Sequence, residues 1–142
     1  MTINHDRLVQ KAEALVWMLR EAIGKSDAPE IGKTQASKAI EVAQIAPTPA
    51  LLINWLRYQA AREDPEEKEK RFWSYPLRDG RTLAEALIAD LQEIQREVRP
   101  EERMRAVALY LGYFRRALVG IQFLDRIPPA WGGGEHGRVG AL

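Results

Sequence analysis

Apolar residues recur every three or four positions along most of this chain, and that period predicts helices. From Asn4 to Gly24 the stripe Leu8, Ala12, Leu15, Leu19 and Ala22, widened by Val16 and Ile23, predicts a first helix. Asn4 is a favoured N-cap and Gly24 a favoured stop. The polar run "KSDAPEIG" reads as a linker. A second helix is expected from about Thr34 to Ala46, with Ala36, Ala39, Ile40, Ala43 and Val42 inward and Pro47 ending it. Thr48 then caps a third helix, with Pro49 at its first position, where a missing N–H costs nothing. In that helix Leu52, Trp55, Leu56 and Gln59 line one side, and Ile53, Ala60 and Ala61 extend the apolar surface.

The middle of the chain changes character. "EDPEEKEK" is expected to be a solvated turn or short helix, after which Phe72, Trp73 and Tyr75 tuck a loop down. Asp79-Gly80 signals a turn, and Thr82 with Glu85 has the spacing of a capping box. A fourth helix then runs from Leu83 to about Val98 on Leu83, Leu87, Leu91 and Ile94. A long fifth helix is expected from Pro100 to about Ile127, where Pro128-Pro129 stops it. Its core stripe is Val107, Leu111, Phe114, Leu118 and Ile121, and Arg105, Gly112 and Arg116 fall together on another side. Alternating strand patterns and internal repeats are missing. The fold expected is all-α: a compact bundle of about five helices with a long C-terminal helix. Residues 1–127 form one domain, and the Gly-rich stretch 128–142 reads as a flexible, disordered tail.

Composition narrows the classes. The chain has 142 residues, enough for one domain with a real core. No cysteine is present, which excludes disulfides, thiolate metal sites and a cysteine nucleophile. Charged residues interrupt the N-terminal segment, and no apolar run is long enough to span a bilayer, so a cytoplasmic protein without membrane partners is expected. The net charge of +1 conceals an uneven distribution. Between Lys33 and Arg62 four basic residues (Lys33, Lys38, Arg57, Arg62) face one acid, Glu41. Between Arg103 and Arg126 five arginines face Asp125 alone. Two locally basic segments suit a one-sided polyanion surface, although charge runs also make ordinary solvated helix faces.

A catalytic constellation is harder to find. His5 stands near a terminus and His136 in the Gly-rich tail, so they offer neither a rigid base nor a metal pair. Glu66, Glu67 and Glu69 belong to a charge run, and no Glu-x-x-His pair suggests a di-metal bundle. "WGGGEHG" follows no strand and opens no helix, so it fails as a phosphate loop. No enzyme activity, cofactor or metal is expected. A helix-turn-helix around Pro47-Thr48-Pro49 would present Asn54, Arg57 and Gln59, but Leu52, Ile53, Trp55 and Leu56 leave little polar face for a groove.

The basic and aromatic spacing is more informative. Tyr58 and Arg62 lie one helical turn apart, so a ring can support the arginine stem. Arg115 and Arg116 sit beside Tyr113. Arginine's planar fork donates two parallel hydrogen bonds to phosphate. The helix "KTQASKAIEVAQI" exposes Thr, Gln, Ser and Lys, which also bond phosphate oxygens. Candidate phosphate-contacting residues are Lys38, Arg57, Arg62, Arg105, Arg115 and Arg116, with Lys33 and Gln35 beside them. The two arginine-bearing patches are expected to converge on one surface.

Across roughly residues 33–127 the chain resembles the small all-helical subunit of Csm-type, type III CRISPR-Cas effector complexes. Thr34, Gln35, Ala36, Ser37 and Lys38 stand where that family carries a Thr/Ser-Gln-Leu-Arg-Lys-like stretch. Tyr58, Gln59, Ala60, Ala61 and Arg62 match a Tyr-x-Ala-Gly-Arg-like stretch. "GYFRRALVGIQFL", from Gly112 to Leu124, echoes an aromatic last helix. Departures are Ser37 for a basic residue, Ala61 for glycine, Arg115-Arg116 for a Glu-containing pair and Gly120-Ile121 for a polar pair. The resemblance implies a non-catalytic structural subunit of an antiviral ribonucleoprotein. Several copies would stack head to tail, holding guide RNA paired to target RNA beside the repeated backbone subunit, with the large nuclease and cyclase subunit capping the row. RNA contacts would be to phosphate and sugar, because the guide reads sequence. A Cmr-type small subunit remains an alternative. So does a helical protein-interaction module, for which Phe72, Trp73, Leu77 and Trp131 would supply the sticky surface. A small DNA-binding regulator ranks behind both.

Overall fold

The computed structural model describes residues 2–24, 30–124 and 126. Five α-helices carry it: α1 (His5–Ile23), α2 (Glu30–Ile45), α3 (Pro49–Arg62), α4 (Leu83–Glu97) and α5 (Arg103–Val119). Short 3-10 turns occur at Lys68–Lys70, Pro100–Glu102 and Ile121–Phe123. Among the described residues there is no strand, only one isolated bridge, Pro76 to Thr82. Nor is any described helix long and apolar enough to cross a membrane. Residues 25–29 of the expected linker, Asp125, Ile127 and the tail 128–142, with Trp131 and His136, lie outside the described residues.

The local signals explain the helix ends. Asn4 caps α1 by accepting from Arg7 N–H, and Gly24 closes it at a positive φ of 77°. At α4, Thr82 Oγ1 accepts from Glu85 N–H while the Glu85 carboxylate accepts from Thr82 N–H, a complete capping box. Thr48 is the N-cap of α3, but its side chain makes no capping bond, so Pro49 marks that start instead. Gly80, at φ 92°, turns the chain between Leu77 and Arg81.

Two boundaries differ from expectation. The second helix begins at Glu30 rather than Thr34, taking in Gly32. A Cβ at Gly32 would lie 2.7 Å from Phe72 Cε1, so the glycine that reads as linker is there for a close approach to a ring. The fifth helix stops at Val119, not near Ile127, because Gly120 ends it and a 3-10 turn follows. Ile121 and Leu124 still bury, so the apolar period outlasts the helix.

The fifth helix is the axis of the bundle. It packs against all four other helices, most extensively α1 and α2. Around it α2 touches α3, α3 touches α4, and α4 touches α1, so the outer order is α2–α3–α4–α1. The expected stripe Val107, Leu111, Phe114, Leu118 and Ile121 is buried, joined by Ala106, Tyr110 and Ala117. Phe72 and Trp73 are fully buried and Leu77 nearly so, which corrects the idea that they form a sticky surface. Phe72 packs edge-on to Trp73, Trp73 edge-on to Trp55, and Phe72 against Phe114.

What holds that aromatic loop down is Glu63, the residue after α3. Its carboxylate accepts from the backbone N–H of Phe72 (3.0 Å), Trp73 (3.0 Å) and Ser74 (2.8 Å), and from the Ser74 hydroxyl (2.6 Å). Three main-chain donors with no strand partner are thereby satisfied. In the sequence Glu63 only opens an acidic run. The rest of that run, from Asp64 to Lys70, is exposed as expected.

Candidate nucleic-acid interface

The basic residues separate by what surrounds them. Arg115 does not reach solvent freely: its Nε donates to Ser37 Oγ of α2 at 2.7 Å, in a part-buried contact. Ser37, which stands where a cation was expected, thus accepts from a cation on the neighbouring helix. Gln35 also turns inward, its amide oxygen accepting from the Trp73 indole N–H at 3.2 Å. Arg105 is exposed but lies 3.6 Å from Glu102, one turn earlier. Lys33, half-buried, has an interaction partner of its own.

Lys38, Arg57, Arg62 and Arg116 behave differently. All four are exposed, and among the described residues none has a carboxylate within ion-pair distance. Two stand on rings. The Arg62 guanidinium lies 5.7 Å from the centroid of Tyr58, and that of Arg116 lies 5.7 Å from the centroid of Tyr113. A ring beneath a guanidinium limits its rotamers without neutralising it, so the planar donor fork stays available to an anion.

Helical phase decides where these cations point. On α3, Arg57 falls on the flank of Ile53 and Ala60 and opens on a groove shared with Thr82, Glu85 and Ile88 of the α4 region. Arg62 leaves by the other flank, beside Trp55 and Gln59. That is the α2 side, because Trp55 meets Trp73 and Trp73 bonds Gln35. On α5, Arg115 reaches α2 while Arg116 turns to a groove against Val9 and Glu13 of α1. The two patches therefore do not merge into one. Arg116, Arg115, Lys38 and Arg62 instead follow an arc that crosses α2, and Arg57 lies beyond it on the α3–α4 side. The exposed face of α2 between them carries Thr34, Lys38 and Glu41, with Gln44 and Ile45 at its end.

His5, expected near a terminus, is exposed; its Nδ1 bonds the Tyr113 hydroxyl at 2.8 Å and its ring sits edge-on to that of Tyr113. Among the described residues no cluster of three His, Asp or Glu side chains could hold a metal. The most perturbed carboxyl, Asp90, is packed between α1 and α5, where burial raises its pKa to about 6 while Tyr110 donates to it at 2.6 Å. It borders a small cavity with Lys11 and Arg81. Comparison of the chain with protein-family models, curated proteins and solved structures finds no match.

Proposed function

We propose that this protein is a non-catalytic, cytoplasmic RNA-binding subunit that holds an RNA backbone across α2 without reading sequence. The observation that carries the reading is the set of exposed cations at Lys38, Arg62 and Arg116 with no carboxylate within ion-pair distance among the described residues, two of them braced on tyrosines. Phosphate is the ligand such forks suit, and backbone contact is sequence-independent. The resemblance of residues 33–127 to the Csm-type small subunit supports the finer assignment. In that setting the partners are guide and target RNA, further copies of the chain, the repeated backbone subunit and the large nuclease and cyclase subunit. Arg57 supplies a separate contact on the α3–α4 side, and Arg115, Arg105, Gln35 and Lys33 serve the fold first. Fluorescence anisotropy with RNAs of unrelated sequence tests the reading. It expects affinities within a few-fold of one another, and a strong preference for one sequence contradicts it.

A second reading, a helical module that docks another protein, draws on a different observation. Ile45 is 83% exposed and Leu51 51% exposed, on either side of the Pro47–Pro49 corner. Isolated exposed apolar residues are common, but two on one corner offer an anchor. Co-purification of a protein partner with no nucleic acid, lost on Ile45→Asp, supports this reading against the first.

A further inference from the structure

The groove between α1 and α5 is built differently from the rest of the basic arc. It encloses about 360 Å³ and is lined by Val9, Glu13, Tyr113, Arg116, Gly120 and Phe123, with Ala117 and Leu124 at its base. That volume lies at the low end of the range for small-ligand sites. Its walls are mostly apolar, yet one cation, Arg116, lines it and a second, Arg126, stacks on its Phe123 ring. Arg116 lies over Tyr113, and the Arg126 guanidinium lies 5.6 Å from the centroid of Phe123. Neither has a carboxylate partner among the described residues. Phe123 is 42% exposed, a large ring left partly in water where the chain turns after Gly120.

We infer that this groove receives one unstacked base of a single-stranded nucleic acid, with Phe123 as the stacking platform and Arg116 and Arg126 holding the flanking phosphates. The inference rests on the RNA-binding reading and adds the strand form that one site selects. An apolar slot flanked by cations matches a base between two phosphates, since every base has a π-face whatever its identity. An apolar peptide would leave both guanidinium groups without an anion. Glu13, on the α1 wall, has an interaction of its own.

Gly120 offers a way to block the slot without altering charge. Its φ of −95° is open to any residue, and a Cβ would meet only the Arg116 carbonyl oxygen, at 3.6 Å. The test uses the full chain with single-stranded and duplex RNA of the same sequence at low salt. A parallel single strand carries 2-aminopurine. Phe123→Ala and Gly120→Leu are each expected to weaken single-strand binding about tenfold while duplex binding stays within about twofold. The 2-aminopurine emission should respond to the wild-type protein and not to Phe123→Ala. Equal losses for both RNA forms, or no loss in either variant, overturn the inference while leaving backbone binding intact. If the wild-type protein binds neither RNA form, the RNA-binding reading itself fails, a result distinct from the other two.

Discussion

The α1–α4 face and the α2–α3 face use the same kinds of residue to opposite ends. Where α1 meets α4, Arg7 and Lys11 both face acids. Arg7 bonds Glu97 at 2.9 Å and lies 3.9 Å from Glu93, while Lys11 bonds Glu93 and stands 4.0 Å from Asp90. Tyr110 of α5 completes the set by donating to Asp90. The Arg7 pKa rises and the Glu93 pKa falls, mainly through those bonds. On the α2–α3 face, Lys38 and Arg62 have no carboxylate within ion-pair distance among the described residues, and Arg62 leans on a ring instead. A cation already paired with a carboxylate must break that pair to hold a phosphate, whereas a ring-braced one need not. A cation's availability to an anion therefore follows from its neighbours rather than from the abundance of charge.

The steepest contrast lies beneath that second face, where the aromatic loop supports it. Truncating the fully buried Trp73 to alanine should cost about 3–5 kcal/mol in chemical denaturation. Removing its clasp with Glu63→Ala strands three backbone N–H groups and should cost about 2–3 kcal/mol. Gly32→Ala comes next. The added Cβ meets the ring of buried Phe72 rather than a flexible tip, so overpacking of about 1–3 kcal/mol outweighs the helix-propensity gain of roughly 1 kcal/mol. A more stable Gly32→Ala protein would mean that α2 does not need its close approach.

The paired face should respond to pH instead. Asp90 has its pKa raised from 3.8 to about 6, chiefly by burial, with Tyr110, Lys11, Glu93 and Arg81 around it. A carboxyl whose folded pKa is raised binds its proton more tightly in the native state. Its contribution therefore falls as pH rises from about 4 to 6, and it is a net cost at neutrality. Its side chain is 23% exposed, which discounts that cost to about 1–2 kcal/mol. Asp90→Asn keeps an acceptor for Tyr110, so it should raise the melting temperature at pH 7 and flatten the slope between pH 4 and 6. Glu93, held low by Lys11, acts with the opposite sign: it stabilises above its ordinary pKa and loses that as pH falls.

Much of the fold was legible because its signals are local. Asn4, Gly24, the Thr82–Glu85 box and the Asp79-Gly80 turn each act over a few residues, and the apolar period marks the buried faces. What escaped depends on distant partners. Gly32 is helical because of Phe72, forty positions away, and Glu63 is a clasp because the loop at 72–74 returns to it. The end of α5 at Val119 was hidden because the apolar period continues through the 3-10 turn. Among site residues, Tyr58–Arg62 and Tyr113–Arg116 were readable from spacing. That Gln35 and Arg115 turn inward was not, since Trp73 and Ser37 meet them only in the folded bundle.

The salt dependence of RNA affinity tests the division between the two faces most directly. Replacing Lys38, Arg62 and Arg116 together with alanine should reduce the slope of log affinity against log salt by roughly one unit per cation. Replacing the acid-paired Arg7 and Arg81 should leave that slope unchanged. If the triple variant keeps the wild-type slope, or the Arg7 and Arg81 variant loses as much, the braced cations are not where the polyanion lies.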